Sequence, residues 1–179
     1  AMVKNSRFGT HVFFNSNVHI NQTNICVLAC KFCAFRRGRN SKDAYAKDIE
    51  TYLAEIGHFA DHVDEVHSVG GLHPDYPFEY YLDLLKGLKV RFPAVHIQAY
   101  TAVELEYLSR LANLPLKETM EVLKEAGLGS IPGGGAEIFA KRVRRKICGD
   151  KITGEEWLQV HEIAHSVGLK SNATMLYGH

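Results

Sequence analysis

The sequence predicts an α/β fold in which parallel strands alternate with helices, either an α/β barrel or a doubly wound sheet. The first observation is a set of short apolar runs that are typical of strands. These runs begin near Val18, Val66, Val95, Leu128 and Leu169. The second is apolar periodicity of the helical kind between the runs. The third is their separation, roughly the 30 residues or more that a parallel βαβ unit requires.

The composition is that of a globular protein without a marked preference for a charged partner. The 179 residues are 46% hydrophobic and 23% charged, and the formal net charge is +1, which gives no case for nucleic acid. No apolar run approaches the roughly 20 residues of a membrane helix, and the first ten residues lack a signal-peptide core. We therefore expect a reducing cytoplasm and no membrane partner. Clustered cysteines in that compartment are more often metal ligands or catalysts than disulfides.

The first two units follow from apolar spacing and glycines. Residues 18–26 predict a strand that runs into a cysteine-rich loop. A helix is expected after Asp43, because apolar residues recur at helical spacing between Ile49 and Phe59. Residues 66–71 predict a second strand that ends at two glycines.

The remaining units are marked by prolines, glycines and a capping pattern. Pro77 and Pro115 are expected to open helices, and residues 95–100 and 128–131 predict the third and fourth strands. Residues 141–148, "KRVRRKIC", form a basic helix. Thr153 and Glu156 have the spacing of a capping box at the start of a further helix. Residues 169–178 predict the fifth strand.

Unusual residues follow each strand of this scheme. The segments are the cysteine loop, "GGLHP", "TAVE", "PGGGAE" and "YGH". In barrels and in doubly wound sheets, ligands bind at the carboxyl ends of the strands. The pattern therefore predicts a site at one end of the sheet.

Three of the four cysteines lie within eight residues, as Cys26, Cys30 and Cys33. Iron–sulfur clusters are usually held by four thiolates, so three in C-x3-C-x2-C spacing favour a four-iron cluster with one iron open. Zinc is the alternative, with His19 or Cys148 as a fourth ligand, in a zinc-stabilised binding module without catalysis. Three unrelated core cysteines are the third interpretation.

The same residues carry a resemblance to a known family. C-x3-C-x2-C with Phe32 before the last cysteine resembles the signature of radical S-adenosylmethionine (SAM) enzymes. The segments "INQTNICVLACKFCAF", "GGLHPDYPFEYYLDLL", "SIPGGGAEIFAKRVR" and "ATMLYGH" are more specific. They resemble the branch that acts in the futalosine route to menaquinone and in deazaflavin biosynthesis, and most of all the aminofutalosine synthases.

The resemblance implies a partial (β/α) barrel that usually has six βα units. About five are expected here, so residues 1–179 would be a radical SAM core truncated on its C-terminal side, inactive as an isolated fragment. The implied cofactors are a [4Fe-4S] cluster and SAM. In the aminofutalosine synthases, the 5′-deoxyadenosyl radical from SAM adds to 3-[(1-carboxyvinyl)oxy]benzoate.

The resemblance also leaves two rivals within the branch, a dehypoxanthine futalosine cyclase and a deazaflavin synthase subunit. The implied partners are a small anionic substrate and an electron donor such as flavodoxin or ferredoxin.

Individual roles follow from the resemblance. Cys26, Cys30 and Cys33 would hold the cluster, and Phe32 would lie beside the cofactors. Gly70 and Gly71 would meet the methionine amino group of SAM, although a tight turn explains a glycine pair equally well. Glu137 would bind the ribose hydroxyls, or stand as an acidic residue in a first helical turn. Glu104 is expected to face SAM, with the same helix-start alternative.

The histidines and arginines are weaker candidates. His73 and His179 each follow a strand, where an imidazole can bind a carboxylate or move a proton. We expect Arg36, Arg37 and Arg39 to form an exposed basic loop. Residues Arg142, Arg144 and Arg145 are expected on a solvated helix face.

Overall fold

The computed structural model describes residues 2–178 and contains a five-stranded parallel sheet. The strands are β1 Asn17–Ile20, β2 Glu65–Ser68, β3 His96–Ala99, β4 Ser130–Ile131 and β5 Lys170–Ser171. Their order in the sheet is β1-β2-β3-β4-β5, and each neighbouring pair is parallel. The predicted α/β class is therefore confirmed.

The strand order decides between the two predicted architectures. Each crossover moves the chain by one strand in the same direction, whereas a doubly wound sheet reverses its order at a switch point. Because parallel crossovers are almost always right-handed, a constant direction places the helices on one face of the sheet. The sheet is thus an arc of a barrel, which confirms the partial (β/α) barrel.

Residues 2–178 contain seven helices. They are α1 Met2–Phe8, α2 Ile49–Gly57, α3 Phe78–Arg91, α4 Ala102–Ala112, α5 Leu116–Glu125, α6 Lys141–Cys148 and α7 Gly154–Ser166, and a 3-10 turn spans Ala60–His62. The sequence carries no periodic signal for α1, because none of its residues is buried. None of the helices within residues 2–178 has the length and apolar character needed to cross a bilayer.

The starts of α2, α4 and α7 are fixed by local side-chain hydrogen bonds. The Asp48 carboxylate accepts from the Thr51 N–H at the start of α2. The predicted capping box of Thr153 and Glu156 is present at α7. Thr101 and Glu104 form a second capping box at α4, which sets the position of Glu104 at the end of β3.

The core lies between the sheet and its helices. Side chains that are less than 2% exposed include Tyr52, Ile56, Leu84, Leu85, Leu105, Leu108, Met120 and Leu123. They form one cluster with strand residues such as Val66, Ile97 and Ile131. Close packing of this kind makes the strand ends rigid supports for whatever follows them.

The first and last strands are shorter than predicted, for one shared reason. After Ile20 the chain leaves β1 to form the cysteine loop, and isolated bridges link Thr23 to Ala46 and Ile25 to Arg37. After Ser171 the chain runs beside the glycine loop instead of a strand. There the Thr174 N–H donates to the Gly133 carbonyl over 3.2 Å. Both segments therefore pair with loops instead of strands.

Candidate active site

One cavity is lined by residues that follow the carboxyl ends of the first four strands. Its lining includes Cys26, Cys30, Phe32, Cys33, Arg36, Gly70, Gly71, Thr101, Glu104, Gly134, Gly135, Glu137 and Lys151. The lining therefore joins residues that lie more than 100 positions apart in the sequence. The cavity therefore lies at the carboxyl ends of the strands, where the sequence predicts a site.

The cysteine loop is held by backbone hydrogen bonds on several sides. The Val27 N–H donates to the Leu72 carbonyl over 3.1 Å, and the Cys26 N–H donates to the Arg37 carbonyl over 3.2 Å. The Lys31 N–H donates to the Ile147 carbonyl over 2.8 Å, which attaches the loop to the end of α6. The loop is therefore supported by β2, by its own return and by α6.

The three motif cysteines are free thiols, each half-buried. Burial raises the pKa of the Cys30 thiol to about 11, against the opposing effect of the Lys151 ammonium. Cys148 is buried at the end of α6 and does not line the cavity. Burial also raises the pKa of its thiol.

The thiols fit a multi-iron cluster better than a single metal ion. Within residues 2–178, no three His, Cys, Asp or Glu side chains lie close enough to bind one ion. A zinc site draws all its ligands to about 2.0–2.3 Å from one atom. The ligands of a four-iron cluster bind different irons, so their sulfurs stay farther apart. The three half-buried thiols line one cavity without forming such a single-ion group.

The glycine pair after β2 allows two backbones to approach closely. A Cβ atom on Gly71 would lie 2.1 Å from the Ile25 carbonyl oxygen, and one on Gly70 would lie 2.5 Å from the Gln22 side chain. Neither glycine has a positive φ, and the segment is not a turn. The tight-turn interpretation is therefore wrong. The glycines are required because the loop after β1 packs directly against them.

Glu104 is buried and fixes the glycine segment. Its Oε1 accepts from the Gly70 N–H over 2.9 Å, and its Oε2 accepts from both the N–H and the hydroxyl of Thr101 over 2.8 Å. Burial raises the pKa of this carboxyl even though these hydrogen bonds oppose the shift. Glu104 thus links the ends of β2 and β3.

Glu137 does not belong to a helix, so its first-turn interpretation is wrong. Helix α6 begins at Lys141, and Glu137 has a φ of 48° in the left-handed region. Its Oε1 accepts from the Lys151 Nζ over 2.7 Å, and the two side chains are 16% and 14% exposed. Burial alone would lower the pKa of Lys151, but Glu137 holds that pKa above its usual value.

Sequence reasoning missed Lys151. A lysine that follows a basic helix and Asp150 has the pattern of a surface residue. Only the fold, which returns the end of α6 to the cysteine loop, places Lys151 at the cavity.

The expectation of a solvated Arg144 is wrong. Arg144 is buried, and its guanidinium donates to the carbonyl oxygens of Gly135, Ala136, Ile138 and Ile152. The five donors of a guanidinium suit this task, since several carbonyls of one loop converge on it. Arg144 therefore holds the loop that carries Glu137. Arg142 and Arg145 are exposed, as expected.

The structure describes one of the two candidate histidines, His73. His73 is buried outside the lining: its Nδ1 accepts from the Asp75 N–H over 3.1 Å, and its ring stacks on Tyr76. Burial lowers the pKa of this imidazole, which favours the neutral form. His179 lies outside the described residues. The roles of both histidines stay predictions.

The arginines after the cysteines divide into two kinds. Arg37 and Arg39 pair with Asp43 and Asp75. Arg36 is exposed, lines the cavity and donates to the Cys26 carbonyl over 3.3 Å.

Comparison with known proteins identifies the family. The model of the Radical SAM superfamily matches residues 20–179. The chain belongs to this superfamily. Radical SAM enzymes use a [4Fe-4S] cluster and SAM, so the family match agrees with the thiol arrangement.

The curated relatives of this radical SAM chain carry more than one name. It is 45% identical to "Aminodeoxyfutalosine synthase" of Thermus thermophilus, over 99% of this chain and 48% of the relative. It is 42% identical to "5-amino-6-(D-ribitylamino)uracil--L-tyrosine 4-hydroxyphenyl transferase" of Methanopyrus kandleri, over 96% of this chain and 47% of the relative. The chain thus spans about half the length of the curated relatives it matches.

A solved structure supports the fold. The crystal structure of methylornithine synthase (PylB) superposes with a TM-score of 0.72 at 18% identity, over 98% of this chain and 48% of that one.

The cluster assignment can be tested by iron content. Replacement of Cys26, Cys30 or Cys33 by Ala should abolish reconstitution of the cluster under anaerobic conditions, because each removes one of three ligands. Cys148→Ala is the matched control and should keep its iron. Iron and sulfide analysis with the visible spectrum provides the measurement. Iron lost from the Cys148 variant but kept by a loop variant would contradict the assignment.

The glycine contact predicts a steric penalty. In Gly71→Ala the new methyl group meets the Ile25 carbonyl, so the cysteine loop must shift. We expect a loss of stability of about 1–3 kcal/mol, typical of overpacking, and a lower cluster content. Gly38→Ala is the control, since its Cβ would have only Ser41 Oγ, 3.8 Å away, within 4 Å. Equal stability of the two variants in denaturant titrations would refute the close-approach argument.

Proposed function

We propose that the protein transfers the 5′-deoxyadenosyl group of SAM to 3-[(1-carboxyvinyl)oxy]benzoate and forms 6-amino-6-deoxyfutalosine for menaquinone biosynthesis. The observation that carries the proposal is the 45% identity to the aminodeoxyfutalosine synthase of Thermus thermophilus over 99% of this chain. The cavity at the strand ends, with its three cysteines, supplies the site.

The cluster, when bound, supplies the electron that cleaves SAM to methionine and the 5′-deoxyadenosyl radical. The chain's own residues would hold the reactants. Gly70 and Gly71 present backbone without side chains at the cavity wall, which suits contact with the methionine part of SAM. Glu137 would bind the ribose hydroxyls, since its carboxylate lies at the same wall with one oxygen engaged by Lys151.

A polar inner sheet face supports a polar substrate. His19, His67 and Gln98 occupy matching register positions on β1, β2 and β3, and Gln98 is followed by Ser130 on β4. The inner face of a closed barrel is usually filled by branched apolar side chains. Hydrogen-bonding groups in their place suit a small molecule with carboxylates. Arg36 at the cavity adds a positive charge that attracts such an anion.

The remaining assignments belong to the same proposal. An external donor such as flavodoxin or ferredoxin would deliver the electron in a reducing cytoplasm, where the four free thiols persist. His73 and His179 would assist with proton transfer or carboxylate binding. Neither nucleic acid nor membrane is proposed as a partner, in line with the net charge of +1.

A second candidate is transfer of a tyrosine-derived 4-hydroxyphenyl group to 5-amino-6-(D-ribitylamino)uracil. The 42% identity to the transferase of Methanopyrus kandleri favours it. The two candidates differ in the fate of the adenosyl group. In the first, that group enters the product, whereas abstraction of hydrogen releases it as 5′-deoxyadenosine.

That difference provides the test. The protein at its full natural length is incubated anaerobically with dithionite, SAM labelled with carbon-13 in its ribose, and one of two substrate sets. We expect labelled 6-amino-6-deoxyfutalosine with 3-[(1-carboxyvinyl)oxy]benzoate, and no product with tyrosine and the aminouracil. Cys33→Ala serves as the control for cluster-dependent turnover. Label found only in free 5′-deoxyadenosine, with product from the second set, would overturn the proposal.

A further inference from the structure

Among the described residues, two cationic side chains line the cavity, Arg36 and Lys151. Arg36 is exposed, whereas Lys151 is partly buried. Its Nζ lies 2.7 Å from the Glu137 Oε1 and 5.3 Å from the centroid of the Phe32 ring, next to Cys33 in the motif. Lys151 thus joins the turn after α6, the glycine loop and the cysteine loop.

The charge of Lys151 lies beside the cysteine loop, because Lys151 and the three motif cysteines line the same cavity. The Lys151 and Glu137 side chains are only 14% and 16% exposed, so solvent and salt screen their charges far less than they screen surface charges. A nearly buried pair of opposite charges therefore borders the loop that holds the cluster.

We propose that Lys151 and Glu137 set the reduction potential of the cluster, with Lys151 raising it and Glu137 lowering it. One-electron reduction by the external donor adds one negative charge to the cluster. A nearby cation stabilises the reduced form and a nearby anion destabilises it, and the potentials of such clusters depend on net charge and solvent exposure. The proposal concerns the cofactor of the family, so it holds for either candidate substrate.

The pair gives predictions of opposite sign. Loss of Lys151 removes the cation and leaves the Glu137 carboxylate unbalanced, so the potential must fall. Loss of the Glu137 charge leaves the Lys151 ammonium unbalanced, so the potential must rise. If the pair merely held the two loops together, both losses would loosen the same contact and would shift the potential in the same direction.

The experiment is a redox titration of the reconstituted protein at its full natural length, without SAM, followed by electron paramagnetic resonance. Lys151→Met should lower the equilibrium constant for reduction at least tenfold, which is 59 mV for one electron. Glu137→Gln should raise that constant, and Lys151→Arg should stay near wild type. Lys146→Met removes an exposed cation of α6 outside the cavity and is the charge-matched control.

Shifts of Lys151→Met and Glu137→Gln in the same direction would overturn the proposal. A Lys151→Met potential equal to that of Lys146→Met would also overturn it. If Lys151→Met fails to hold iron, Glu137→Gln decides alone: a potential above wild type supports the proposal, and one at or below wild type refutes it.

Discussion

The site depends on one backbone contact, the packing of Gly70 and Gly71 against the loop after β1. The Gly71 N–H donates to the Thr23 carbonyl over 2.9 Å, and no side chain fits between the glycines and that loop. The contact holds the loop after β1 against the end of β2, and the three cysteines of that loop line the cavity. Glu104 reinforces it from β3, because a buried carboxylate that accepts from the Gly70 N–H costs free energy to displace.

A second set of contacts closes the cavity from the other side. The Arg144 guanidinium donates hydrogen bonds to carbonyl groups of the loop after β4. The Trp157 indole N–H donates to the Gly134 carbonyl over 3.0 Å. The loop then presents Glu137 to Lys151. On this side, backbone carbonyl groups of the loop accept hydrogen bonds from two buried side chains, Arg144 and Trp157.

The fold class, the order of the strands and the place of the cysteine loop after β1 were predictable from the sequence, because apolar periodicity and residue spacing are local signals. The residues that the sequence misjudged depend on distant parts of the chain. Lys151 and Arg144 have the pattern of surface cations. The loop after β4 surrounds the Arg144 guanidinium, and the return of α6 to the cysteine loop brings Lys151 to the cavity. The sequence predicts that the glycine pair contacts SAM, and that role stays a prediction. The group that comes close to the pair in the fold is the backbone of Ile25, which no local pattern reveals.

The central claim is that the cysteine loop is positioned by the protein itself, before any cluster binds. Amide hydrogen exchange of the cluster-free protein tests this most directly. The Gly71 and Val27 amides, which donate to the Thr23 and Leu72 carbonyls, should be protected as strongly as the amides of β2. Exchange at the rate of an unstructured peptide at both positions would show that the loop forms only around the cluster, and would contradict this account.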